Sequence, residues 1–409
     1  MDIRASLAAL CGSDGPSGRE DQVAEVALSL LRPLVDEGYR DKFGNVIGVR
    51  RCGKENAKRV VLDAHLDEVG LVITGAKEGF LSFRAVGGID PRMLPNREVT
   101  ILSQPPRFGL VAVLPPHVQQ PGDANKSTPL SDLYIDAGLT QEEGEALVGT
   151  FVVPKGPFRS LLGERVSAKA LDDRAGFAAL LQTAEYLQGK PLDVDLYLMG
   201  STREEVNGSG ALVGAYALRP HCFVAVDVTH ARTPDGPKEE TFGAGQGTVI
   251  GIGPNITRWM SDRLIGKAEA LGLAWSPEVM TGHSGTNAWR VQTAREGIAT
   301  AVVSLPLKYM HSPVETLDLT DLETTASLLA AFVEGLGEEG GAFLADGNLK
   351  NPVRPSWRFQ PRGCGAGIPS ERGGAVCPSY PGGHHGQSAG GKERAYLRQP
   401  EVDAGGPHG

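Results

Sequence analysis

The sequence has little cysteine, five residues in 409, and none of them forms a C-x-x-C pair. A disulfide framework is therefore excluded. It also lacks any apolar run near the roughly 18 residues a membrane span needs. The N-terminal stretch MDIRASLAALCGSDGPSG holds an apolar patch too short for a signal h-region, with Asp2 in front of it. Nor is there an excess of positive charge: 40 Lys+Arg stand against 49 Asp+Glu, a net charge of −9. A phosphate-reading surface is usually basic, so a nucleic-acid partner is not expected. A soluble, cytoplasmic protein without a membrane partner is the expectation.

What is present is a core. The hydrophobic fraction is 41%, which excludes wholesale disorder. The length fits two or three domains, or one large α/β unit with an insertion. Composition breaks near residue 340. Residues 341–409 hold 15 Gly and 8 Pro, and their net charge is +3 against −12 for the rest. Such a stretch buries little. It is expected to be a disordered tail, or an extension of the kind a frameshift or read-through produces. His384-His385 within it is expected to be solvated.

The body reads as alternating strands and helices. QVAEVALSLL (22–31) has helical spacing. RVVLDA (59–64) and CFVAVDV (222–228) are almost wholly apolar, as strands buried on both faces are. Helices are expected over 172–187, 210–218, 256–271 and 320–336, and strands over 45–49, 193–199 and 300–305. This alternation predicts an α/β fold with a mixed or parallel sheet covered on both faces. Residues 69–161 differ, with short strand-like pieces separated by Gly, Pro and Asn. They predict a small β-rich domain inserted into the α/β unit, between residues 1–68 and their continuation at 162–340.

Several motifs put His, Asp or Glu at or just after the end of an apolar strand, where open α/β sheets bind ligands. In Asp63-Ala-His65-Leu-Asp67-Glu68, His65 is a metal-ligand candidate with Asp67 placed to orient its ring. A surface His–Asp pair is the alternative. In ALDDRAG (170–176), Asp172 and Asp173 open a helix, as caps or as ligands. In STREEVNGSG (201–210), Glu204 and Glu205 follow a buried strand. Neighbouring carboxylates repel and favour a nearby cation. One of them can ligate while the other serves as a general base. Asp227 lies within an apolar strand, where an unpaired carboxylate is costly. His311, in KYMHSPVE (308–315), is the remaining ligand candidate. His230 reads as structural. Together these N and O donors suit Zn²⁺, Co²⁺ or Mn²⁺.

The same motifs carry a family resemblance. GPSGRE (15–20), DKFGNVIG (41–48), DAHLDEVGLVIT (63–74), VGGIDPRMLPNREVTI (86–101), DAGLTQEE (136–143), ALDDRAG, STREEVNGSGA, VDVTHA (226–231) and KYMHSPVE occur in order, and the chain resembles the M42 metallo-aminopeptidases over residues 5 to about 336. Some members of that family carry an endoglucanase label. The resemblance implies a zinc-peptidase-like catalytic domain formed by 1–68 and 162–340, a barrel-like insertion, and two divalent metal ions per chain. His65 and Asp227 would hold one ion, Glu205 and His311 the other, and Asp172 would bridge. It implies Glu204 as general base and acid, Asp67 as the group orienting His65, and a cis Asp172–Asp173 bond. It further implies peptide substrates and a homo-oligomer, from dimer to dodecamer, with the inserted domain serving assembly and access. Asn287 stands where the family commonly has Asp, in a segment expected to line the substrate pocket, and Lys308 where Arg is common. A related deacetylase or dipeptidase of the M20 type, and a catalytically dead binding protein, are the competing readings.

Overall fold

The computed structural model describes residues 1–118 and 128–336. The Gly/Pro-rich tail, with His384-His385, lies outside the described residues. The chain opens with α1 (Ile3–Cys11) and α2 (Asp21–Leu31), then β1 (Glu37–Arg40), β2 (Val46–Arg50) and β3 (Lys58–His65). Next come β4 (Gly70–Lys77), β5 (Phe80–Val86), β6 (Glu98–Ile101), β7 (Arg107–Ala112), β8 (Tyr134–Asp136), α3 (Gln141–Glu145) and β9 (Phe151–Pro154). The third stretch holds β10 (Arg159–Ser160), β11 (Arg165–Ala168), α4 (Leu171–Leu187), β12 (Val194–Ser201), α5 (Glu204–Asn207), α6 (Ser209–Leu218) and β13 (Cys222–His230). The last holds β14 (Thr248–Ile252), α7 (Arg258–Leu271), β15 (Trp275–Val279), α8 (Ala288–Val291), β16 (Ala299–Leu307), β17 (Glu315–Asp318) and α9 (Leu319–Glu334).

The main sheet is mixed, in the order β1-β2-β12-β3-β13-β16-β14-β15. Its centre, β12-β3-β13-β16, is parallel. β3 and β13 lie inside it and are covered on both faces, which is why their sequences are apolar runs without alternation. On one face, Val60, Leu62, Val224 and Val226 pack with side chains of α1, α2, α4, α7 and α9. On the other, Val61, Phe223 and Ala225 meet Ala211 and Ala215 of α6 and Ala288 and Val291 of α8. The mixed α/β architecture expected from the sequence is thus observed. The short α1, β14, β15 and β17 were not anticipated; the three strands are too short for a periodic signal, whereas Ile3, Leu7, Leu10 and Cys11 give α1 a helical spacing that was overlooked.

β4 to β9 close into a barrel in the order β4-β5-β8-β7-β6-β9 around its own core of Leu71, Ile73, Leu81, Val99, Val111 and Ile135. Within it, α3 starts with a capping box between Thr140 and Glu143. Glu78 (φ 54°) and Gly79 (φ 84°) form the two-residue turn joining β4 to β5, with Lys77 opposite Phe80. A Cβ at Gly79 would lie 1.9 Å from the Leu139 carbonyl oxygen. Gly79→Ala is therefore expected to destabilise the protein by about 1–3 kcal/mol. Denaturant unfolding measures this, and a change under 0.5 kcal/mol would show that the turn relaxes freely.

Candidate metal centre

The parallel strands deliver the polar residues to one end of the sheet. His65 is the last residue of β3, opposite Ser201 at the end of β12, and Asp227 is in β13 opposite Ser304. Asp172 is in the first turn of α4, after Ala170 at φ 58°, and the Asp172–Asp173 peptide is cis. The strand β12 leads through Arg203, at φ 58°, into α5, which begins with Glu204 and Glu205. His311 sits at φ 61° in the turn between β16 and β17.

The contacts centre on Asp172. Its Oδ1 is 3.1 Å from His65 Nε2, and its Oδ2 is 3.3 Å from His311 Nε2. His311 Nε2 is also 3.2 Å from Glu205 Oε2. One carboxylate thus faces an imidazole with each oxygen, the disposition of a bridging ligand. Ligand atoms of His65, Asp172 and Glu205 all lie within 4.8 Å of one another, and so do those of His65, Asp173 and Asp227. The structure therefore brings all five sequence candidates to one place and adds Asp173 to the His65–Asp227 side.

Asp67, fully buried, acts on two neighbours. His65 Nδ1 is 3.2 Å from the Asp67 backbone oxygen and 3.5 Å from its Oδ1. The same carboxylate accepts the backbone N–H of Glu204 (3.0 Å) and of Glu205 (3.2 Å), and the Ser17 hydroxyl (2.5 Å). Asp67 thereby ties the imidazole to the turn that carries both glutamates. Ser17 belongs to the GPSGRE loop, whose contact with the centre the sequence did not reveal.

The cluster is rich in buried negative charge. Burial pushes the Glu204 carboxyl up to about 9, with His65 opposing and Asp227 and Glu205 adding to the rise. Burial likewise pushes Asp227 up to about 8 and raises Glu205 and Asp173. Burial opposes ionisation of Asp172 too, but hydrogen bonds to His311 and His65 hold it well below the usual carboxylate range. Burial disfavours charged imidazole, yet the carboxylates hold His65 well above its ordinary value and His311 at about 11. Asp173 Oδ2 is buried without a hydrogen-bond partner. A set of five carboxylates and two imidazoles in this space, with one orphaned oxygen, fits divalent cations bound by N and O donors.

Two neighbours had no role in the sequence reading of the centre. Glu315, 2% exposed, accepts from the backbone N–H of His311 (2.8 Å) and of Asp172 (3.1 Å). The carbonyl of Gly88, in the loop after β5, lies 2.7 Å from His311 Nδ1. The Asn287 side chain is 3% exposed, and its Nδ2 donates to Asp63 Oδ2 (2.8 Å) and Ser201 Oγ (2.9 Å). The alternation of β3 puts Asp63 on the same face as His65, beneath the centre. His230, at the end of β13, is exposed.

The model of the M42 glutamyl aminopeptidase family matches residues 44–328. The chain belongs to this family. It is 33% identical over 336 residues to a lysyl aminopeptidase of Pyrococcus furiosus, covering 79% of this chain and 94% of that protein. Among solved structures, it is similar to an aminopeptidase from the archaeon Desulfurococcus kamchatkensis, with a TM-score of 0.75, 32% identity, and 81% and 94% of the two chains covered. It is also similar to the Pyrococcus horikoshii TET1 peptidase, with a TM-score of 0.72, 31% identity, and 82% and 100% covered. That peptidase is described as assembling into a tetrahedron or a large octahedral shell. As an M42 member, the chain is an aminopeptidase of a metal-dependent family. The M20-type alternative gains no support from these likenesses.

Proposed function

We propose that this M42 protein removes N-terminal residues from peptides at a centre of two divalent metal ions. The observation that carries the reading is Asp172, whose two oxygens face His65 and His311 separately. His65 and Asp227 would hold one ion, Glu205 and His311 the other, with Asp172 shared. Bound there, zinc, cobalt or manganese would supply Lewis acidity to the scissile carbonyl and lower the pKa of water. The chain's own residues do the rest. Asp67 fixes the ring of His65 and the turn of Glu204. The Glu204 carboxylate takes a proton from the attacking water and returns it to the leaving amine nitrogen. With divalent cations held beside it, Glu204 would be ionised, as this role needs.

The zinc-peptidase-like region is taken to comprise residues 1–68 and 162–340, with 69–161 as an inserted assembly and access domain. Assembly into a homo-oligomer is part of the same reading and rests on likeness to the TET1 peptidase. Among the described residues, no helix is long and apolar enough to cross a membrane.

The test is metal content followed by rates on a panel of aminoacyl p-nitroanilides and short peptides. Two ions per chain and release of N-terminal residues are expected. Chelation should abolish turnover and lower Tm, because ligands that bind only the folded state stabilise it. Re-addition of cobalt or zinc should restore both. Full activity after complete removal of metal would defeat the reading, and faster cleavage of N-acyl amino acids than of peptides would favour the M20-type substrate class.

A further inference from the structure

The VGGIDP stretch has no role in the chemistry above, yet it reaches the centre from the barrel. His311 Nδ1 is 2.7 Å from the Gly88 carbonyl oxygen. A carbonyl oxygen can only accept, so Nδ1–H donates, and Nε2 is the nitrogen left to ligate an ion that displaces its proton. Nε2 is the nitrogen aimed at Glu205 and Asp172. Two glycines allow this approach. A Cβ at Gly88 would lie 3.3 Å from His311 Nδ1 and 3.4 Å from its Cε1. One at Gly87, where φ is 83°, would lie 2.9 Å from Val69 Cγ1 and 3.3 Å from Glu205 Cβ. The loop therefore packs on both residues of one proposed ion position.

A second clamp acts on the backbone. His311 at φ 61° is in a conformation that non-glycine residues seldom adopt. Its N–H donates to Glu315 Oε1 at 2.8 Å, while Glu315 Oε2 accepts from the Asp172 N–H at 3.1 Å. One buried carboxylate thus joins the two turns that carry these ligands. His65 and Asp227, in contrast, are carried by the sheet strands β3 and β13.

We infer that the Gly88 carbonyl and Glu315 are positioning groups for His311, so that seating of the barrel loop sets the affinity of the ion position formed by Glu205 and His311. The inference rests on the two-ion reading above. Groups that orient a ligating histidine commonly govern metal affinity by about 10- to 100-fold. The position on the His65 side should not respond.

Calorimetric titration of the metal-stripped protein with Co²⁺ or Zn²⁺ tests this. Wild type should show two binding steps. Gly88→Val and Glu315→Gln should each weaken one step by about 10- to 100-fold and leave the other unchanged. Turnover of either variant should recover as the metal concentration is raised, a rescue that simple misfolding would not show. Gly88 is exposed, so Gly88→Val decides the matter even if Glu315→Gln fails to fold. Unchanged steps in Gly88→Val, or equal weakening of both steps, would overturn the inference. A stoichiometry of one ion per chain in wild type would overturn the two-ion reading and the inference together, and it is seen before any substitution is made.

Discussion

Glu204→Gln should reduce kcat by about 10²- to 10⁴-fold while the protein still takes up two ions per chain. The substitution keeps the side chain's shape and removes its capacity to accept a proton. The hydrogen bond that places this residue runs from its backbone N–H to Asp67 Oδ1, at 3.0 Å, and does not involve the side chain. Asp67 also holds the Glu205 N–H at 3.2 Å, so the neighbouring ligand should keep its position. Loss of turnover with intact metal content would therefore belong to the Glu204 carboxylate. Activity within a few-fold of wild type in the metal-replete variant would remove Glu204 from the proton-transfer step. Loss of both metal and activity would instead assign it a ligand role.

The largest expected stability effect is at Arg174. The side chain is fully buried, and each of its nitrogens has a partner. Nε donates to the Leu66 carbonyl (3.1 Å), Nη1 to those of Leu10 (2.8 Å) and Ser13 (2.5 Å), and Nη2 to Glu68 Oε1 (3.0 Å). It thereby joins α1 and its following loop to the segment after β3. Arg174→Met keeps much of the volume but removes a donor from three carbonyls, of which those of Leu10 and Ser13 retain another (the Ser13 N–H and Lys169 Nζ), and removes one cation from buried Glu68. Lys169, at 2.6 Å from Glu68, remains. Breaking a buried charge pair costs about 3–5 kcal/mol. With Lys169 left in place, about 3 kcal/mol is expected, measured by denaturant unfolding.

The pH dependence should shift with it. Burial favours protonated Glu68, but Lys169 and Arg174 overcome this and hold its pKa below the ordinary 4.5. A carboxyl lowered in the folded state contributes stability above its unfolded pKa and loses it as pH falls through the folded value. Without Arg174 the folded value rises, so acid unfolding should begin at a higher pH. An unchanged acid limb would show that Lys169 alone sets the Glu68 equilibrium.

Much of this architecture was legible in the sequence. VVLDA and CFVAVDV read as interior strands because a strand flanked by two others and covered on both faces has no polar side to display. The short β-rich segments separated by Gly and Pro announced a small β-rich domain for a similar reason, since the turn residues needed between short strands are few in kind, but not the closure of its strands into a barrel. The ligand candidates were legible because charged groups at the ends of such strands are costly unless something balances them.

Other features had no sequence signal. Asn287 stands where the family commonly has Asp, and only packing shows its side chain buried against Asp63 and Ser201. Asp173 reads as a helix cap beside Asp172, and its approach to His65 and Asp227 depends on the backbone course at the start of α4. Glu315 is one glutamate among many until the turn at His311 brings two backbone N–H groups onto it. The sequence by itself determined the mixed α/β class and the β-rich character of the insertion, and it named the candidate donors, because burial and local propensity act on neighbouring positions. Tertiary structure alone decided which oxygen faces which imidazole, and that a barrel loop supports His311. Those contacts join residues more than a hundred positions apart, and their geometry is set by the packing of whole elements.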